Sequence, residues 1–271
     1  MAEQKKEGEL MKIGYVQTSP VFGDKEKNFE EVRRLTRGVS ADLLVLPELF
    51  GSGYTFTSRE EAEALAEIAD GPTAAVLREL SLQTGAVVVA GYIEKDGGHL
   101  YNAALVVSGN CVIDSYRKIH LFNKEKLWFE AGDKPLQVYD INDVKMGVMV
   151  CFDWMFPEVC RTMALQGMQV LAHPSNLVMP WCQRAMVTRC LENRIFAVTA
   201  NRTGEENRGG DHFVFTGASQ ITAADGSVLS SAPASESCLA VVEVDVKQAG
   251  DKNINAYNNV IADRRTEFYV L

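Results

Sequence analysis

No apolar run in this sequence approaches the roughly 18 residues that a membrane-spanning helix needs. The opening segment, Met1-Ala-Glu-Gln-Lys-Lys-Glu-Gly-Glu-Leu10, is charged where a secretory leader would be apolar. The expected protein is cytoplasmic, with no membrane partner. Positive charge is also scarce: 27 Lys and Arg stand against 36 Asp and Glu, for a formal net charge of -9. A chain so acidic, without a basic stripe, is not expected to track a phosphate backbone, so nucleic acid is excluded as a partner. There is no CxxC pair, and the six cysteines (Cys111, Cys151, Cys160, Cys182, Cys190, Cys238) share no zinc-type spacing with the four histidines. Each cysteine is then expected to be a free thiol in a reducing compartment, with no metal held. A P-loop and a dinucleotide fingerprint are missing too, so no cofactor is expected.

What the sequence does have is apolar residues, 46% of 271, enough for a large core near the upper size of one α/β domain. Apolar runs bounded by turn residues predict strands over 11–17, 43–46, 86–93, 103–107, 144–151, 170–173, 197–200 and 239–246, several buried on both faces. Helical patterns lie between them over 28–37, 59–69, 72–84, 157–166 and 180–194, several opening on proline. Alternating elements of this kind give an α/β class. The Gly-, Ser- and Thr-rich stretches 208–220 and 222–237 predict antiparallel hairpins, and so mixed sheets. With no linker, repeat or composition break, residues 1–271 are read as a single domain. Residues 1–10 are expected to be a flexible N-terminus. The tail 250–271, which carries Asp263-Arg264-Arg265 and ends in Phe268, Tyr269, Val270 and Leu271, is expected to dock on its own domain or on a second subunit.

Several residues are placed to carry chemistry. Cys151 sits where a Val- and Met-rich strand runs into Phe152-Asp-Trp-Met-Phe-Pro157 and then a helix. Such a junction presents a side chain at a strand's carboxyl end, beside backbone N–H groups able to bind an oxyanion. Cysteine is equally at home packed in a core, so this residue alone leaves both readings open. Glu48, in Leu46-Pro-Glu48 directly after a buried strand, would be partly desolvated, which raises a carboxyl pKa toward that of a base at neutral pH; a salt-bridge role is the alternative. Lys118, among Ile119, Leu121 and Phe122, is either a fixed cation or a side chain reaching to solvent. Glu125 could pair with it or lie at the surface. His120 and His173 are the candidates for a Cys-His pair.

Taken together, Pro47-Glu48, Tyr116-Arg-Lys118-Ile-His-Leu-Phe and Gly147-Val-Met-Val-Cys151-Phe-Asp-Trp-Met-Phe-Pro-Glu158 resemble the three signature blocks of the nitrilase superfamily, the carbon-nitrogen hydrolases. Supporting blocks are His173-Pro-Ser-Asn176, Arg189 to Arg194, Ala200-Asn-Arg202-Thr-Gly and Gly217-Ala-Ser219, so the likeness runs from Met11 to Tyr269. The resemblance implies a four-layer α-β-β-α sandwich with two mixed sheets and a catalytic triad of Glu48, Lys118 and Cys151. It adds a second glutamate after the lysine, best matched by Glu125 and less well by Glu130. It also implies a homodimer or higher homo-oligomer with the C-terminal segment reaching across.

The chemistry that follows is cleavage of a non-peptide carbon–nitrogen bond through a thioester. The partner is a small-molecule amide, ω-amide, N-carbamoyl compound or nitrile. True nitrilases of the family typically have Trp-Glu after the cysteine. The Phe152-Asp153-Trp154 found here tilts the reading toward an amidase, with nitrile hydrolysis as the alternative and an inactive binding or scaffold relative as a third reading. Tyr54, Phe152, Trp154 and Asn176 are the expected substrate-binding residues, with Trp128 and Trp181 as further aromatic candidates.

Overall fold

The layering follows from strands that are apolar on both faces, seen in a computed structural model that describes residues 10–269. In chain order the elements are β1 (Leu10–Gln17), α1 (Lys25–Thr36), β2 (Leu43–Val45), α2 (Arg59–Leu65), α3 (Pro72–Thr84), β3 (Val87–Asp96), β4 (His99–Ser108), β5 (Cys111–Arg117) and α4 (Glu125–Trp128). They continue with β6 (Val138–Ile141), β7 (Val144–Val148), α5 (Pro157–Leu165), β8 (Val170–Pro174), α6 (Cys182–Asn193), β9 (Phe196–Ala200), β10 (Glu205–Arg208), β11 (Asp211–Val214), β12 (Gln220–Thr222), β13 (Val228–Ser231) and β14 (Cys238–Asp245).

One six-stranded sheet has the order β14-β1-β2-β3-β4-β5 and the other β13-β12-β9-β8-β7-β6. Each has a parallel centre and antiparallel flanks: β1, β2 and β3 run parallel in the first, and β7, β8 and β9 in the second. Successive side chains point to opposite faces of a strand, which sorts the residues into two cores. Leu43, Val45, Val87, Val89, Ala104 and Val106 meet Met146, Val148, Val170 and Phe196 between the sheets. The alternate residues Leu44, Leu46, Val88, Ala90, Leu105 and Val107 pack outward on Phe29 and Val32 of α1 and on Ala74, Val76, Leu77 and Leu80 of α3. Helices α5 and α6 cover the second sheet through Val159, Cys160, Met163, Met186 and Cys190. The result is the four-layer α-β-β-α sandwich with two mixed sheets.

Local chemistry sets the helix ends. The Asp24 side chain caps α1 by accepting from Lys27 N, the Ser58 side chain caps α2 by accepting from Glu61 N, and α3 opens with Pro72 and closes on left-handed Gly85. The expected hairpins fall differently. One pairs β10 with β11, starting before residue 208, and residues 215–219 run on as a loop to β12, which pairs with β13. Strand β5 was not separated from β4 by pattern, because the alternation continues through the Gly109-Asn110 turn. The expected flexible segment 1–10 lies outside the described residues except for Leu10, which begins β1; Val270 and Leu271 lie outside them as well.

Gly91 in β3 shows how the fold positions the site. A Cβ built there would lie 2.4 Å from Glu48 Cα and 2.5 Å from Leu49 N. The chain leaving β2 thus crosses against bare backbone, and Gly91 N donates to Pro47 O at 3.1 Å. Gly91→Ala is expected to lower stability by about 2–3 kcal/mol through overpacking, read as a lower denaturant midpoint. An unchanged midpoint would contradict this close approach.

Candidate active site

The two sheets bring their carboxyl-terminal edges together, and the expected residues lie there. Glu48 follows β2, Lys118 follows β5, Cys151 lies three residues past the end of β7, and Asn176 lies just beyond β8. Ligands commonly bind outside the carboxyl ends of such strands.

Lys118 is the hub. Its Nζ donates to Glu48 Oε1 at 2.7 Å and to Glu125 Oε1 at 2.9 Å. Both Lys118 and Glu48 are fully buried. Burial alone would lower the lysine's pKa, but the charges of Glu125 and Glu48 outweigh it and hold the ammonium above its ordinary range. An ammonium has three N–H donors, so two are committed and one is left for a substrate atom.

Glu125 opens α4 and is buried, not a surface residue. It accepts from Tyr54 OH at 2.7 Å as well as from Lys118. Glu130, the weaker match for a second glutamate, lies elsewhere: it accepts from Leu100 N at 2.9 Å and pairs with Arg59 at 3.2 Å, more than a third exposed. Glu48 uses one oxygen fully. Oε1 accepts from Lys118 and also from Asn102 Nδ2 at 2.6 Å, while the buried Oε2 has no partner among the described residues. Desolvation raises the Glu48 pKa, with Lys118 pulling the other way.

Cys151 starts a short 3-10 helix, Cys151–Met155. Its backbone takes the left-handed conformation, φ 43°, a strained state that persists only when neighbours enforce it. The Asp153 carboxylate provides part of that enforcement: Oδ2 accepts from Val150 N at 3.0 Å and Tyr116 OH at 2.8 Å, and Oδ1 accepts from His120 N at 3.0 Å. His173 provides the rest. Its Nε2 lies 3.0 Å from the Cys151 carbonyl oxygen and its Nδ1 3.1 Å from Thr199 Oγ1. A carbonyl only accepts, so Nε2 carries the proton, and burial lowers the His173 pKa to about 4 and keeps the ring neutral.

Neither histidine therefore serves the thiol. His120 lies with Nδ1 at 2.8 Å from Asp153 Oδ1 and stacks on Phe156 at 3.6 Å. The thiol of Cys151 instead donates to Asn176 O at 3.7 Å. Burial first, and then the charge of Glu48, push its pKa well above the usual thiol range, so the resting residue is a neutral thiol. The ladder of the 3-10 helix begins with Asp153 N donating to Val150 O at 3.1 Å, and the Phe152 N–H lies ahead of it.

Cys151 opens into a pocket lined by Phe122, Phe152, Trp154, Asn176, Leu177, Val178 and Met179. Three of the four expected substrate-binding residues, Phe152, Trp154 and Asn176, line it. Both polar side-chain atoms of Asn176 are buried without a partner among the described residues. Tyr54 lies behind Glu125 instead, in a neighbouring pocket with Thr55, Trp128 and Phe213, and Trp181 is about half exposed. The sequence assigns no role to Asn102 or Glu206, and names Asp153 only within Phe152-Asp153-Trp154 and Arg202 only within the block Ala200-Asn-Arg202-Thr-Gly; for Asn102 the one signal is a lone Asn inside the buried run 100–107. Among the described residues, no group of three or more His, Cys, Asp or Glu side chains is arranged to hold a metal ion.

A buried carboxylate, a fixed ammonium and a thiol at facing sheet edges are the groups that a hydrolase site of the cysteine type uses. The carbon-nitrogen hydrolase family model matches residues 12–253, and the chain belongs to that family, the nitrilase superfamily. It is 46% identical over 264 residues to a nitrilase from Pyrococcus abyssi (strain GE5 / Orsay), covering 96% of this chain and 99% of the relative. Its fold superposes on a carbon-nitrogen hydrolase from Helicobacter pylori G27 with a TM-score of 0.85 at 25% identity, over 96% of this chain and 97% of that one. An amidase from Nesterenkonia sp. AN1, in a variant showing the result of Michael addition of acrylamide at its active-site cysteine, matches with a TM-score of 0.76 at 26% identity, over 95% and 97% of the two chains.

Proposed function

We propose that this enzyme hydrolyses the carbon–nitrogen bond of a small amide-type substrate, among aliphatic amides, ω-amides and N-carbamoyl compounds, through a thioester on Cys151. The observation that carries this reading is the free Oε2 of Glu48, a buried carboxylate oxygen with nothing to do in the resting site except receive a proton. Glu48 takes the thiol proton as sulfur attacks the carbonyl carbon. The oxyanion is met by the third N–H of Lys118 and by the Phe152 N–H. Collapse breaks the C–N bond, and Glu48 returns the proton to the departing ammonia or amine. Glu48 then deprotonates water, which attacks the thioester, and the acid leaves as the thiol is restored. Glu125 holds Lys118 in place. The amidase from Nesterenkonia sp. AN1, with its reactive active-site cysteine, supports the same role for Cys151.

The pocket lining narrows the substrate. Phe122, Phe152, Trp154, Leu177, Val178 and Met179 are apolar, Asn176 is neutral, and no cation is among them. An acyl chain bearing a carboxylate would lose its hydration there with no counter-charge of its own, since the Lys118 ammonium is committed to the two glutamates and the reacting oxygen. We therefore favour an uncharged, short acyl group. A nitrile is the second reading, because the relative from Pyrococcus abyssi is named a nitrilase. Ammonia release from propionamide, butyramide, succinamate, N-carbamoyl-β-alanine and propionitrile tests both. The neutral amides are expected to exceed the carboxylate-bearing compounds by about tenfold or more in kcat/KM, the cost of burying an unpaired charge. Release from the nitrile alone would replace the amidase reading, and release from none would point to an inactive relative.

The exposed side chains of Ile254, Tyr257 and Phe268 in the tail support a homodimer or higher homo-oligomer with this segment against a second copy. Six free thiols fit the cytoplasm.

A further inference from the structure

The segment from Ser52 to Phe56 has no helix or strand of its own, yet it delivers the Tyr54 hydroxyl to Glu125. What fixes it comes from the β10–β11 hairpin and from the chain just past β9. Glu206 in β10 is buried, and its carboxylate accepts from Tyr54 N at 3.2 Å and from Thr55 N at 2.6 Å. Arg202, just past β9 and 1% exposed, donates through one guanidinium nitrogen to Glu206 and through the other to Pro20 O at 3.0 Å. The same guanidinium lies 3.9 Å over the Phe215 ring, and that ring meets the Tyr54 ring edge-on at 6.0 Å. Gly53, at φ 82°, completes the fit: a Cβ there would lie 3.0 Å from Glu206 Oε1 and 2.9 Å from Phe22. The carboxylate can approach these amides only because that position has no side chain.

We propose that Glu206, locked by Arg202, is the positioning residue that sets Tyr54, and through its hydroxyl Glu125 and Lys118, for the reaction. Burial opposes ionisation of Glu206, but Arg202 prevails and holds the carboxyl below its usual range, so the clamp stays charged at neutral pH. Loss of the carboxylate releases two backbone N–H groups and lets the Tyr54 ring turn, and a small misplacement of groups that orient a reacting pair costs much in rate. The effect should fall on kcat, because neither Glu206 nor Arg202 lines the pocket at Cys151. This inference rests on the triad reading above.

The test is a double-mutant cycle of Glu206→Gln and Tyr54→Phe, with kcat and KM measured on the best amide of the panel. Glu206→Gln is expected to lower kcat about 30-fold with KM changed less than about threefold. In the Tyr54→Phe background the same change should cost less than about threefold, since the hydroxyl it positions is already gone. Effects that multiply, or an undiminished kcat, would overturn the proposal. If Glu206→Gln does not fold, Arg202→Met with Glu206→Gln removes both buried charges together, a change that cores tolerate, and the same drop in kcat is expected of it. The rate of Cys151 alkylation by iodoacetamide, followed across the same four proteins, reads the coupling without turnover. A wild type that hydrolyses nothing would therefore sink the amidase reading, while the alkylation cycle still decides for or against Glu206.

Discussion

Cys151→Ala is expected to leave a folded protein with its kcat down by about 10⁴-fold or more, because on the proposed mechanism the covalent route is gone and water must attack unaided. The fold survives for local reasons. The side chain faces a pocket, packs at the edge of the inter-sheet core and makes one weak hydrogen bond among the described residues, to Asn176 O. The backbone grip on this residue comes from Asp153 and His173 through main-chain atoms that alanine keeps. A left-handed backbone is no worse for alanine than for cysteine, so the stability change should stay within about 1 kcal/mol. Ammonia release and a denaturation curve on the same preparation check both halves. Activity above one part in a hundred of wild type would remove Cys151 from the mechanism.

Glu48→Gln is expected to lower kcat/KM by about 10³-fold, the middle of the range for a positioned general base, and to change the shape of the pH profile. In the wild type the base works only when ionised. Desolvation raises its pKa, so activity should fall as pH drops through that raised value. The glutamine variant has no proton to lose, so its residual rate should lack this acid limb. The thiol behaves in the opposite way. The Glu48 charge is second only to burial in holding the Cys151 pKa up, so its removal makes the thiolate easier to form. Cys151 in the variant should thus still be alkylated by iodoacetamide while turnover is lost. Persistence of the acid limb in the variant would assign it to another group.

The strands that form the parallel centres were legible because their residues are apolar on both faces, as in Leu43 to Leu46 and Val87 to Ala90. Glu48 and Cys151 were legible because each lies just past such a strand, whereas Lys118 follows the half-exposed flanking strand β5 and was joined to them only by the resemblance to the family's signature blocks. Asn102 was not, since its value lies in reaching Glu48 across the sheet from an otherwise apolar strand. His173 was named for the wrong atom: it serves the Cys151 carbonyl and not the sulfur, a distinction set by a left-handed backbone that no local pattern announces. Tyr54 was expected against substrate, but its ring is held by Phe213 and Phe215, which follow it by more than 150 residues. Contacts of that range arise from laying the β10–β11 hairpin and the loop after it over the segment that holds Tyr54, not from any periodicity along the chain.

The division of the site between the sheets gives the molecule a particular kind of fragility. Glu48 and Lys118 leave one sheet and Cys151 leaves the other, and the layers touch mainly through methyl and methylene groups such as those of Val45, Val89, Met146 and Val148. The separation of sulfur and carboxylate is set between the layers, by the thickness of that hydrocarbon seam and by the bonds that Tyr116 OH and His120 N make across it to Asp153. On the mechanism proposed above, a core substitution far from the pocket is therefore expected to act as a spacer, altering the hop distance while every reacting group stays chemically intact.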